Sequence, residues 1–168
     1  MLENCFYAFD HLKQLSERTM IRKARVQDVE AIVNLINYYA ERGDMLPRSQ
    51  SQVYGNIRDF AIVEIAGELK GCGALHVVWE DLGEIRSLAI AESIQGHGYG
   101  RAIVEFLLQE APDLGLRRVL SLTYKPKFFE KLGFKQVPKE TLPHKIWSDC
   151  INCPHFPNCN EVALLRYL

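Results

Sequence analysis

Three glycines fall at positions 96, 98 and 100 of the segment Gln95-Gly96-His97-Gly98-Tyr99-Gly100-Arg101. Glycine lets a main chain approach a ligand closely and adopt backbone angles that side chains forbid. The segment follows an apolar run, Glu84 to Ile90, that reads as a buried strand. It opens a stretch, Arg101 to Ala111, in which Ile103, Val104, Leu107, Leu108 and Ala111 recur with helical period. A strand, a glycine-rich turn and a helix start together gather N–H groups at the positive end of a helix dipole. The chemistry of such a loop is phosphate binding. His97 and Arg101 add charge there, either as ligand contacts or as solvated loop residues.

The spacing excludes two common phosphate loops. No Gly-Lys-Ser/Thr ending follows, so the nucleotide-triphosphate loop fails. The dinucleotide loop needs Gly-x-Gly-x-x-Gly and an acidic residue ending the next strand, and Arg117 to Thr123 carries none. Gln95, Gly98 and Gly100 instead satisfy Gln-x-x-Gly-x-Gly, which resembles the pyrophosphate loop of the GNAT acyl-CoA N-acetyltransferases. Downstream, Lys125-Pro126-Lys127-Phe128-Phe129-Glu130-Lys131-Leu132-Gly133-Phe134 is similar to the short GNAT helix with its Tyr-Glu-Lys-Leu-Gly-Phe ending. Pro126 suits a first helical turn and Gly133 a left-handed cap.

The resemblance spans roughly residues 20 to 168. It implies an α/β GNAT fold: a mixed, mostly antiparallel central sheet with splayed central strands, flanked by helices. It also implies acetyl-CoA as co-substrate. The pantetheine arm would pair with Leu88, Ala89 and Ile90, and the pyrophosphate would sit on Gln95, Gly96, His97, Gly98, Tyr99, Gly100 and Arg101.

A narrower likeness lies in Gly43-Asp44-Met45-Leu46-Pro47-Arg48-Ser49, in Gly83-Glu84-Ile85-Arg86-Ser87-Leu88-Ala89-Ile90 and in Leu122-Thr123. These resemble the acetyltransferase domain of N-acetylglutamate synthases, in a stand-alone short form. The likeness implies that Leu46, through its backbone, and Arg48 contact the bound amino acid, with Ser87 facing the same pocket. Guanidinium suits bidentate, charge-assisted pairing with a carboxylate, and glutamate offers two. Glu84 matches the family's proposed general base. A base is needed because an α-ammonium titrating about two units above neutral costs about 3 kcal/mol to deprotonate. Thr123 matches the hydroxyl that assists the leaving thiolate, with Tyr124 as its neighbouring substitute. Phe129 stands where many GNAT enzymes carry a tyrosine, and it cannot donate a proton.

The implied function is acetylation of the α-amino group of L-glutamate, the first step of arginine biosynthesis, in the cytoplasm. One departure is the region Cys150 to Asn160, which lacks the arginine and serine that precede the last strand in longer synthases. Lys125 and Lys145 are the candidates to replace them. Two other functions compete: acetylation of another small-molecule or peptide amine, and a catalytically inactive acyl-CoA-binding module.

Cys150, Cys153 and Cys159 form Cys-x2-Cys-x5-Cys, with His144 and His155 nearby. The set could hold zinc in part of a knuckle or stand as plain thiols. The sequence leaves the metal undecided. Cys5 and Cys72 read as isolated thiols.

A domain must position these groups. The chain has 168 residues and a net charge of −1, with Lys and Arg scattered, so nucleic acid and anionic membrane are not expected partners. No apolar run reaches the length of a membrane span, and Glu3 and Asp10 interrupt any signal-peptide core. Residues 1–19 read as a helical N-terminal extension with Leu2, Phe6, Phe9, Leu12 and Leu15 in a stripe; residues 20–168 read as the acetyltransferase domain. A homodimer is compatible with the sequence. A first strand is expected over Met20 to Arg25. A helix with Val29, Ile32, Val33, Ile36 and Ala40 inward follows, with Asp28 and Glu30 complementing its dipole. Ser49 suits the cap of a second helix reaching Arg58. Strands Asp59 to Ala66 and Cys72 to Trp79 are expected around a hairpin centred on Gly67-Glu68, and Glu161 to Tyr167 reads as a closing strand.

Overall fold

The computed structural model describes residues 19–143 and 159–168. The helix expected before Thr19, together with Cys5, His144, Lys145, Cys150, Cys153 and His155, lies outside the described residues. The strands are β1 (Thr19–Lys23), β2 (Phe60–Ile65), β3 (Glu68–Trp79), β4 (Leu82–Ile90), β5 (Arg118–Thr123), β6 (Lys135–Gln136) and β7 (Val162–Tyr167). The helices are α1 (Val29–Ala40), α2 (Gln50–Gly55), α3 (Tyr99–Glu110) and α4 (Pro126–Glu130). The strands form one seven-stranded sheet in the order β1-β2-β3-β4-β5-β7-β6. Only β4 and β5 run parallel, as expected when a single helix, α3, crosses between neighbouring strands.

Alternation along β2 divides the core. Phe60 and Ile62 pack with Val29, Ile32, Val33 and Ile36 of α1, while Ala61 and Val63 pack with Ile103, Val104, Leu107 and Leu108 of α3. The two helices therefore cover opposite faces of the sheet.

The β2–β3 hairpin turns at Ala66-Gly67, both with positive φ (+53° and +78°), one residue earlier than expected. Two successive left-handed residues match the twist of the flanking strands. β3 then begins at Glu68, not Cys72, because Leu69, Lys70 and Gly71 are already part of the strand. A Cβ on Gly71 would lie 2.7 Å from Ile90 Cδ1, and one on Gly73 would lie 2.8 Å from Ile103 Cγ2. Glycine there admits the side chains that pack α3 and β4 onto the sheet.

Two other expectations shift. Ser49 caps α2, accepting from Gln52 N–H at 3.2 Å while Gln52 Oε1 accepts from Ser49 N–H. The helix nevertheless ends at Gly55, and only a 3-10 turn, Ile57–Asp59, carries the chain past Arg58. Asp28 precedes α1 and serves an ion pair. Its carboxylate accepts from Arg22 Nη1 and Nη2 at 2.7 and 3.0 Å and from Arg25 N–H at 2.7 Å. Burial pushes this carboxyl up, but the Arg22 guanidinium and the Arg25 N–H outweigh it and hold it below the usual carboxylate range.

β4 and β5 pair only at Leu82/Arg118, Gly83/Val119 and Glu84/Leu120. Beyond those pairs the strands part, in the middle of the sheet. The site is built in that opening.

Candidate active site

A cleft of about 640 Å³ occupies the opening. Its floor is the second half of β4. Pairing with β3 is regular from Gly83/Val77 to Arg86/Ala74, so Glu84 and Arg86 share one face. Ile85 between them is buried against α3 on the other face. Pairing then jumps to Ala89/Cys72, so Ser87 and Leu88 together face Gly73 in a β-bulge. Ser87 carries the bulge with φ +54°. Left-handed backbone at a residue other than glycine is strain that gathers at functional sites. Ser87, Leu88, Ala89 and Ile90 all line the cleft, Ala89 deeply buried and the others partly so.

The glycine loop closes one end. Gly96 and Gly98 sit at φ +78° and +84°, and the Gly98 carbonyl accepts from Ala102 N–H at 3.0 Å as α3 begins. The first-turn N–H groups of Tyr99, Gly100 and Arg101 have no carbonyl one turn back within their helix, and they stand where the sequence places the expected phosphate contacts. At Gly100 a Cβ would stand 3.5 Å from the Phe128 ring, so the loop lies close against α4.

Gln95 has a job the sequence did not announce. Its Nε2 donates to the Ile90 carbonyl at 3.1 Å and to the Tyr39 hydroxyl at 2.7 Å, while that hydroxyl donates to the same carbonyl. The side chain thus ties the loop to the end of β4 and to α1. Burial raises the Tyr39 phenol above its ordinary value, against the Gln95 hydrogen bond, so it stays a neutral donor. His97 does not reach the cleft. Its Nδ1–H donates to the Gln95 carbonyl at 2.9 Å and folds the ring back on the loop. Arg101 does line the cleft, and its Nη2 donates to the Lys131 carbonyl at 3.2 Å, joining α3 to the turn after α4.

Another part of the lining is the segment between α1 and α2. Leu46 and Arg48 line the cleft from there. Asn37 Nδ2 donates to the Arg48 carbonyl at 3.1 Å, and Asn37 Oδ1 accepts from Arg48 N–H at 3.0 Å. At the end of β5, Thr123 Oγ1 accepts from Lys125 N–H at 2.9 Å, so its own O–H is left to donate. Tyr124 and Lys125 form an exposed rim. Phe129 is buried, edge-on to Phe128 and Phe134, and contributes packing rather than a proton.

Of the residues expected from the sequence, Leu46, Arg48, Glu84, Ser87, Leu88, Ala89, Ile90, Gln95, Gly96, Gly98, Tyr99, Gly100, Arg101 and Thr123 meet in this cleft. Asn37, Tyr39 and Arg86 were not foreseen. Burial pushes the Cys72 thiol up to about 12, which rules it out as a nucleophile at neutral pH. Cys159 Sγ lies 3.6 Å from Glu161 Oε2, and among the described residues no group of three or more His, Cys, Asp or Glu could hold a metal.

The sequence profile of the Acetyltransferase (GNAT) family matches residues 26–134. The chain belongs to this family. This GNAT enzyme is 39% identical over 150 residues to an uncharacterized N-acetyltransferase of Chlorobaculum tepidum, covering 89% of the chain and 97% of the relative. It is 43% identical over 123 residues to an amino-acid acetyltransferase of Mycobacterium tuberculosis, covering 71% and 70% of the two chains. Against the amino-acid acetyltransferase of Neisseria meningitidis it is 34% identical over 125 residues, spanning 29% of that longer protein.

Among solved structures, Rv2747 from Mycobacterium tuberculosis in complex with CoA superposes with a TM-score of 0.77 at 34% identity, covering 89% and 99% of the two chains. N-acetylglutamate synthase from Neisseria gonorrhoeae, complexed with coenzyme A and N-acetyl-glutamate, gives 0.81 at 30% identity, covering 90% of this chain and 35% of that one. This GNAT enzyme is an acetyltransferase with acetyl-CoA as co-substrate. No helix among its described residues is long and apolar enough to cross a membrane.

Proposed function

We propose that this GNAT enzyme transfers the acetyl group of acetyl-CoA to the α-amino group of L-glutamate, the first step of arginine biosynthesis. The observation that carries this reading is the pairing of walls. Arg48, its backbone fixed by Asn37, and Glu84, on the strand that leads to the glycine loop, line one cleft. A guanidinium suits a substrate carboxylate and a carboxylate suits an ammonium proton, so the cleft is matched to an acidic amino acid. The similarity to proteins named amino-acid acetyltransferase and to a synthase bound to N-acetyl-glutamate supports the same substrate class.

Glu84 takes the proton from the α-ammonium, directly or through a water, and the amine attacks the thioester carbonyl. Main-chain N–H groups of the parted β4 stabilise the oxyanion, and the edge over Leu88, Ala89 and Ile90 holds the pantetheine arm. The first-turn N–H groups of Tyr99, Gly100 and Arg101 hold the pyrophosphate. As the C–N bond forms and the C–S bond breaks, Thr123 donates a hydrogen bond to the departing sulfur, and the extra proton on the attacking nitrogen passes to that sulfur to give the amide and CoA–SH.

The test is CoA release from acetyl-CoA with each of the twenty amino acids, a polyamine and a short peptide, on wild type and Arg48→Ala. Glutamate turnover that is lost, or that acquires a greatly raised KM, in the variant is the expected result. Turnover of a carboxylate-free amine, indifferent to Arg48→Ala, would discard glutamate as the acceptor.

A further inference from the structure

A dicarboxylate needs a second cation, and the region before β7 does not offer the arginine and serine of the longer synthases. Arg86 lines the cleft two residues from Glu84 and on the same face of β4. Its cross-strand partner is Ala74, a member of the core cluster under α1, so the Arg86 side chain leaves the sheet on the side of α1 and the Arg48 segment. The spacing along the strand sets Glu84 and Arg86 about 7 Å apart at Cα, close enough for both to reach one end of a small molecule.

We propose that Arg86 is the residue that binds the α-carboxylate of the amino-acid substrate, while Arg48, on the segment between α1 and α2, takes the side-chain carboxylate. The inference rests on the amino-acid reading given above. The assignment of the two carboxylates follows from covalent structure. The α-amine and the α-carboxylate hang from one carbon, so the cation nearest the base that deprotonates the amine is the one nearest the α-carboxylate. Arg86 shares a strand face with Glu84, whereas Arg48 belongs to the segment between α1 and α2. Lys125 sits at the exposed rim, where a single ammonium is screened and cannot make a bidentate pair.

The experiment uses glutamate cut down at each end. 4-Aminobutyrate is glutamate without its α-carboxylate, and 2-aminobutyrate is glutamate without its side-chain carboxylate. Turnover, or competitive inhibition where turnover is slow, is measured for all three on wild type, Arg86→Gln, Arg86→Lys and Arg48→Gln. Arg86→Gln should lose roughly 10- to 100-fold in kcat/KM on glutamate and on 2-aminobutyrate, as removal of a charge-assisted pair does, yet change little on 4-aminobutyrate. Arg48→Gln should show the converse, sparing 2-aminobutyrate. Arg86→Lys should recover part of the loss, and an unchanged KM for acetyl-CoA reports an intact fold. Equal losses on 4-aminobutyrate and glutamate, or no loss on glutamate, would overturn the inference and leave the glutamate reading standing. A wild type that accepts none of the three while acetylating another amine would remove both.

Discussion

Asn37 grips the main chain of Arg48 from both sides, donating to its carbonyl at 3.1 Å and accepting from its N–H at 3.0 Å. The amide of an α1 residue thereby sets the position of a loop residue that no regular hydrogen-bond ladder holds. Asn37→Ala should raise the KM for the amino acid by about 5- to 30-fold, the equivalent of one or two neutral hydrogen bonds, with the KM for acetyl-CoA unchanged. Steady-state kinetics with each substrate varied separately checks this. A parallel rise in both constants would mean that α1 itself had moved.

The Ile90 carbonyl accepts from both Tyr39 and Gln95, so the two side chains form one clasp on the glycine loop. Tyr39→Phe and Gln95→Ala should each weaken CoA binding by about tenfold, the scale of one hydrogen bond. The double variant should lose less than the sum, because both bonds serve the same acceptor. Calorimetric titration with CoA on the four proteins gives the coupling. Strict additivity would separate the two residues.

Glu84→Gln should cut kcat by 10²- to 10⁴-fold, the usual size of a general-base effect, while both KM values stay within a few-fold. Thr123→Val should cost about tenfold in kcat, because it removes one hydrogen bond to the departing sulfur and leaves the base in place. A Glu84→Gln enzyme with wild-type kcat would return the base to bulk water.

Acid stability should depend on Asp28. Its folded carboxyl titrates below the usual range, so its contribution is complete above the unfolded value near pH 4 and drains away as pH falls through the lower folded value. Asp28→Asn should lower stability by about 2 kcal/mol at neutral pH, since it strips a charged partner from the part-buried Arg22. It should also flatten the loss of Tm below pH 4. Melting curves from pH 7 to 2.5 would show both effects, and parallel curves for the two proteins would rule the ion pair out.

The glycine loop and the short Pro126–Glu130 helix were legible because each writes its backbone geometry into residue type: Gly98 at its left-handed angle, Pro126 in a first turn. The strand holding Phe60, Ala61, Ile62 and Val63 was readable too, but four apolar residues in a row did not reveal that alternate ones serve different helices. What the sequence concealed depends on distance. Tyr39 continues the helical run of α1, and its hydroxyl meets a carbonyl 51 residues away. The strand was expected to start at Cys72 and starts at Glu68, because composition cannot reveal that Gly71 makes room for Ile90 arriving from across the sheet. Arg86 was one polar position in a run read as a buried strand, and only the parting of β4 from β5 shows its face as a cleft wall. For His97 the sequence left ligand contact and loop residue open, because a ring in a phosphate loop can spend its hydrogen bond on the loop itself, as its Nδ1–H does on the Gln95 carbonyl.

Because β4 and β5 stop pairing after Glu84 and Leu120, the sheet carries two strand edges inside the molecule rather than at its rim. On the proposed pairing of the pantetheine arm with Leu88, Ala89 and Ile90, acyl-CoA would act there as a surrogate strand. Folding and metabolism are then coupled: at a hundredfold excess over Kd the ligand adds about 2.7 kcal/mol to the folded state. A cell short of acetyl-CoA would lose turnover from this enzyme and, in the same stroke, hold a softer protein more exposed to proteolysis.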